Sequence, residues 1–113
     1  MDPAEHAFSV EVEERRGGAV VTPRGELDLA TQGELRAVLE QHASHGVLTL
    51  DLRELRFLDT SGMRLILETA QAAERDGFRF AVVRGGPAVQ RLFDIAGVSD
   101  LIPFDDRRDR GSP

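Results

Sequence analysis

Apolar and polar residues alternate along Phe8–Glu14, FSVEVEE, which is the period-two pattern of a half-buried strand. Arg15–Gly18 predicts a turn, and Ala19–Thr22 predicts the strand that returns from it. Leu48, Leu50 and Leu52 repeat the period of two and mark a third strand. Phe78–Val83 predicts a fourth, and Leu101–Phe104 a short fifth whose Pro103 suits a sheet edge. Between these segments the period lengthens to that of a helix. Leu35, Val38, Leu39 and Ala43 make one stripe, preceded by Thr31 and Glu34 at capping-box spacing and stopped by Gly46. Met63, Ile66, Leu67 and Ala70 make a second stripe, which Gly77 ends. A third helix starts at Pro87, with Val89, Leu92, Phe93 and Ala96 expected on its buried face, and closes at Gly97.

The order strand, strand, helix, strand, helix, strand, helix, strand predicts an α/β or α+β fold on a mixed sheet of about five strands, with right-handed crossovers. A chain of 113 residues holds one domain of ordinary size. We expect its ordered core over about 8–104, and a disordered tail over 105–113, where the sequence is charged and has no apolar period.

Composition narrows the function. No apolar run reaches the length of a membrane span, and no basic segment precedes a long apolar one at the N-terminus, so the expectation is a cytoplasmic protein with no membrane partner. The absence of cysteine excludes disulfides and thiolate ligands. A net charge of −6 without a basic stripe argues against nucleic acid as a partner. There is no lysine, so no mechanism can rely on one.

The candidate chemistry lies at Asp59-Thr60-Ser61-Gly62, between the apolar pair Phe57-Leu58 and the second helix. Asp, Thr and Ser are all good N-caps, and a cap is the ordinary reading of such a run. One cap needs only one of them, however. A hydroxyl at this place sits where unpaired N–H groups and the macrodipole favour negative charge, so a phosphate on Ser61 would be accommodated. Helical spacing puts Ser61 on the face of Leu65, Glu68, Thr69 and Ala72, away from the buried Met63 and Ile66. This predicts an exposed hydroxyl beside an exposed apolar Leu65, a pairing that suits a protein contact. Pro23–Leu29, PRGELDL, reads as a loop between the second strand and the first helix, and Asp28 in it serves equally well as a cap or a site residue. Asp28 and Ser61 both precede helices that follow strands, which places them on one face of the molecule.

Three segments, GELDL at Gly25–Leu29, LDLRELRFLDTSGM at Leu50–Met63 and VQRLFDIAGVSDLIPF at Val89–Phe104, carry a family likeness. Through them the chain resembles the STAS-domain anti-sigma-factor antagonists from about Phe8 to Phe104. The resemblance implies a STAS-like α/β fold with three or four helices, mainly on one face of the sheet. It makes Ser61 the phosphoacceptor and maps site acids onto Asp59 and Asp28. The implied partner-binding set is Asp28, Asp59, Thr60, Ser61, Gly62 and Leu65.

The implied function is a bacterial partner switch. The unmodified chain would bind an anti-sigma factor that is also a serine kinase and so release a sigma factor. ATP-dependent phosphorylation of Ser61 would separate the pair, and a metal-dependent serine phosphatase would reset it. The chain itself would be no enzyme and need no cofactor or metal. A STAS scaffold, or a regulatory subunit of a stress-sensing or transporter complex, is the alternative. The chain departs from the family pattern at Asp105–Pro113, which does not look like the final helix of its members, and at Thr60, where serine is also common.

Other chemistries fit less well. A receiver-type phosphoacceptor at Asp59 needs a late lysine, which is missing. A nucleophilic Ser61 lacks the G-x-S-x-G turn and an evident base. His6 lies near the terminus, and His42 and His45 end the first helix, where an imidazolium favours the dipole. His42-x-x-His45 has no carboxylate or thiol companions for a metal. Arg84-Gly85-Gly86-Pro87 reads as a turn rather than a phosphate loop.

Overall fold

β1 (Ser9–Arg15) and β2 (Gly18–Leu27) form the opening antiparallel hairpin, with Val12 opposite Val21. The computed structural model describes residues 8–43 and 46–105. β2 is longer than its apolar run suggests and serves two neighbours. Its first half pairs in parallel with β3 (Val47–Asp51), and its last residues pair in parallel with β4 (Leu55–Leu58). β5 (Arg79–Val83) lies parallel to β3 on the other side. The sheet order is β1-β2-β3-β5, with β4 beside β2, giving a mixed open sheet of five strands. Three helices follow strands: α1 (Gln32–His42), α2 (Thr60–Asp76) and α3 (Pro87–Ala96).

The core forms where the strand and helix periods meet. Val21, Leu48, Leu50 and Val82 come from the sheet, and Leu35, Leu39, Leu65, Ile66 and Phe93 from the helices; all are buried. α2 packs against both α1 and α3, so it buries a broad arc of Gly62, Leu65, Ile66, Ala70 and Ala73. Gly77 and Gly97 close α2 and α3 in the left-handed region, as the sequence indicates.

Several expectations are corrected. Pro23–Leu29 is not a loop: β2 runs through Leu27, and a register shift between Gly25 and Glu26 opposes two β2 residues to Leu55 and Phe57 with Arg56 extra between them. Gly25 meets this bulge with φ 97°, a conformation that glycine adopts without strain. β4 was not expected, because four residues with the burial order buried, exposed, exposed, buried show no period of two. Leu101–Phe104 is not a strand. Ser99–Leu101 forms a 3-10 turn, and the segment then makes a single parallel bridge, Val82 to Phe104. Pro103 has no N–H, and the Phe104 N–H turns back to Ile102 O at 2.8 Å, so a ladder cannot propagate. Phe104 is instead held by an edge contact with Phe93 at 5.4 Å and by the Arg84 guanidinium 4.5 Å above its ring. Ala96 is exposed. α1 ends at His42 with Ala43 as its C-cap, and Gly46 belongs to the turn into β3. The tail beyond Asp105, His6 and His45 lie outside the described residues.

Candidate functional site

The parallel pairing of β2 with β4 sets Leu27 opposite Leu58, so the residues that follow them emerge side by side. Asp59 N–H donates to Leu27 O at 3.1 Å, which fixes the second segment against the first. Asp59 then takes an extended conformation and caps α2: its Oδ1 accepts from Gly62 N–H at 3.0 Å. The same oxygen accepts from the Ser61 hydroxyl at 2.6 Å. Its Oδ2 accepts from Leu29 N–H at 3.2 Å, across from the β2–α1 segment. Burial alone would raise the Asp59 pKa. The bonds from the Ser61 hydroxyl and from the Gly62, Leu29 and Ser61 amides outweigh it and hold the carboxyl below its usual value.

The cap is thus supplied by Asp59, and neither hydroxyl is needed for it. Thr60 is exposed at the first position of α2, and Ser61 is half-buried beside it. Gly62 is required by contact rather than by dihedral angle. A Cβ there would lie 2.7 Å from both Leu27 Cγ and Leu58 Cδ1, so only glycine lets α2 start this close to the ends of β2 and β4.

Asp28 organises the other segment. Its Oδ1 accepts from the amides of Ala30 and Thr31 at 3.0 and 3.1 Å. The Thr31 hydroxyl donates to Glu26 O at 2.8 Å and accepts from Asp28 N–H at 2.9 Å. The expected capping box is therefore absent: the Thr31 side chain faces back into its own turn and makes no cap bond to α1. Asp28 and Ser61 do share one face, joined through Leu29 and Asp59, but Asp28 stands beside the cleft rather than in it.

That cleft runs between the β2–α1 segment and the first turns of α1 and α2. Leu29, Gln32, Arg36, Asp59, Thr60, Ser61, Arg64 and Glu68 line it. Arg36 spans it, donating to Glu68 at 3.0 Å and to Gln32 at 3.3 Å. Leu65 is not part of this surface. It is 2 % exposed, because α1 covers the face of α2 that helical spacing alone leaves open. The exposed apolar residue of the cleft is Leu29, at 75 %; Phe57, Ile95 and Leu101 are exposed outside its lining. Leu29 continues the alternation of Leu27 in the sequence, but β2 ends at Leu27 and leaves Leu29 in the turn that follows.

Chemically, the site offers a hydroxyl oriented by an ionised carboxylate. With its lowered pKa, Asp59 aligns the hydroxyl better than it holds a proton. His42 is in the last turn of α1, roughly 15 Å of helix beyond Gln32, and does not line the cleft. Among the described residues no group of three or more His, Asp or Glu is arranged to hold a metal, and no helix is long and apolar enough to cross a membrane.

Comparison with known proteins bears on this geometry. The STAS domain family model matches residues 9–110. The anti-sigma F factor antagonist of Paenibacillus polymyxa is 32% identical over 104 residues, covering 88% of this chain and 87% of that protein. The anti-sigma-B factor antagonist of Bacillus subtilis is 25% identical over 105 residues, covering 92% and 96%. The crystal structure of an anti-sigma factor antagonist from Mycobacterium paratuberculosis superposes with a TM-score of 0.72 at 27% identity, covering 88% and 86% of the two chains.

Proposed function

Since the chain belongs to the STAS domain family, we propose that it is an anti-sigma-factor antagonist switched by phosphorylation of Ser61. In its unmodified form it binds an anti-sigma factor with serine-kinase activity and frees a sigma factor. Like its partner, it acts in the bacterial cytoplasm. The kinase transfers the γ-phosphoryl group of ATP to Ser61 Oγ: the bond to the β-phosphate oxygen breaks, the bond to Oγ forms, the hydroxyl proton leaves to a base, and ADP departs. A serine phosphatase hydrolyses the ester and restores the binding form.

The observation that carries this reading is the Ser61 hydroxyl bonded to Asp59 at the start of α2, in the cleft that the exposed Leu29 also lines. A docking partner would cover Leu29 and desolvate the hydroxyl. Phosphorylation adds about −1.5 to −2 charges and removes the donor that Asp59 accepts. In the free protein the helix N-terminus tolerates the group, by up to ~1 kcal/mol. In a complex the same charge would be stripped of water beside the Asp59 carboxylate, which costs more. Only this difference between the free and bound states shifts the equilibrium, and a full reversal needs roughly 5 kcal/mol. Asp28 contributes by holding the segment that presents Leu29, and Thr60 and Gly62 by setting the height of Ser61.

The test is to mix the chain with the candidate anti-sigma factor and ATP, then measure intact mass and map the modified residue. A gain of one phosphoryl group at Ser61, with dissociation of the complex, is the expected result. A chain that binds the candidate and stays unmodified fits the scaffold alternative instead.

A further inference from the structure

Two guanidiniums line the cleft beside Ser61, and they differ. Arg36 is committed to Glu68 and Gln32. Arg64 makes no hydrogen bond or ion pair among the described residues, and it is exposed. Arg64 lies three residues after Ser61 on α2, a spacing at which Cβ atoms are about 5–6 Å apart. Helical side chains lean toward the N-terminus, so Arg64 covers the turn that contains Thr60 and Ser61. Glu68, four residues on, stands in the less favourable order for pairing with Arg64 and is already engaged by Arg36.

Resting on the reading that Ser61 is phosphorylated, we propose that Arg64 is the receptor of that phosphate within the chain. Esterification removes the proton that Ser61 gives to Asp59 and leaves a dianion against a carboxylate whose neighbour was 2.6 Å away. The phosphate must turn from Asp59. The side of α2 to which it turns carries an uncommitted guanidinium, a group whose fork of donors matches phosphate oxygens. The pair forms in the free protein and satisfies the phosphate there. The cations of a partner then have less to gain from it, which adds to the bias against rebinding.

The experiment uses the full chain with phosphoserine installed at position 61 during synthesis, so no kinase is involved. Phosphorus NMR follows the second ionisation of the phosphate. In the wild-type background it should titrate below its ordinary value of about 6, because the arginine favours the dianion. Arg64→Gln should raise the midpoint by several tenths of a pH unit. Arg64→Lys should recover part of the lowering, and Arg79→Gln, at the other end of the sheet, should change nothing. An equal midpoint in wild type and Arg64→Gln overturns the proposal. So does a midpoint that responds to Arg36→Gln instead, or a lowered midpoint that neither substitution changes, which would assign the effect to the helix terminus. Arg64 is exposed, so its variants should fold, and a circular dichroism melt verifies that. This outcome is separable from the switch itself. If no anti-sigma factor binds the unmodified chain, the functional reading fails whatever the phosphate titration shows.

Discussion

The Ser61 hydroxyl donates to the same Asp59 oxygen that caps α2, at 2.6 Å, while the other oxygen of Asp59 holds Leu29 N–H at 3.2 Å. One carboxylate therefore joins the phosphoacceptor candidate, the helix that carries it and the segment that exposes Leu29. A change at Ser61 is felt by Asp59 first and by the Leu29 segment through it.

The charge on Asp59 should be visible in the acid limb of the stability curve. Its pKa lies below the ordinary 3.8 in the folded chain. A group with a lowered folded pKa contributes stability that is present above its unfolded pKa and lost as pH falls through the folded value. Asp59→Asn keeps an acceptor for the Gly62 amide and loses the charge. The stability gap between wild type and Asp59→Asn should be constant at neutral pH and close as pH falls below about 4. Urea titrations at a series of pH values measure it, and a gap that does not change with pH contradicts the assignment.

Gly62→Ala should destabilise the domain by about 1–3 kcal/mol, the cost of overpacking. Its Cβ would stand 2.7 Å from Leu27 and Leu58, at the point where α2 leaves the sheet. The expected result is a lower melting temperature and weakened partner binding together, since Ser61 moves with the helix start. A melting temperature equal to wild type would mean that the helix start is free to shift.

The apolar contacts sort by exposure. Leu29→Ser should leave the melting temperature nearly unchanged and weaken partner binding about tenfold, ~1.4 kcal/mol. Leu65→Ala should do the reverse, costing about 2–5 kcal/mol of stability as a buried leucine does. Binding that is lost only through Leu65 would move the docking surface from the cleft to the α1–α2 face.

α2 and α3 are readable because their stripes and glycine stops, with Pro87 for α3, agree with one another, and α1 is readable from its stripe alone. β1, β3 and β5 were readable from a period of two. β4 was not, since four residues beside a bulge show no period. The extension of β2 is hidden by Pro23 and Gly25, residues that ordinarily punctuate a strand and here occupy a buried position opposite Val10 and a bulge. At the site, the acid, the hydroxyls and the glycine stood together in the sequence, and their roles followed from the pairing of β2 with β4. Leu65 was misjudged because a helical wheel shows one helix and not its neighbour α1. The Leu29 amide bond to Asp59 spans 30 residues, and no local pattern encodes it. No local pattern marks Arg64 among the arginines of the chain; only the contrast with the engaged Arg36 sets it apart.

The most direct measurement is titration calorimetry of the cognate anti-sigma factor with four forms of the chain: unmodified, Ser61→Ala, Ser61→Asp and phosphorylated at Ser61. The account predicts that the unmodified and Ser61→Ala forms bind alike. Ser61→Asp should bind more weakly, and the phosphorylated form weaker by about a hundredfold or more, ~3 kcal/mol. Equal dissociation constants for the unmodified and phosphorylated forms would contradict it.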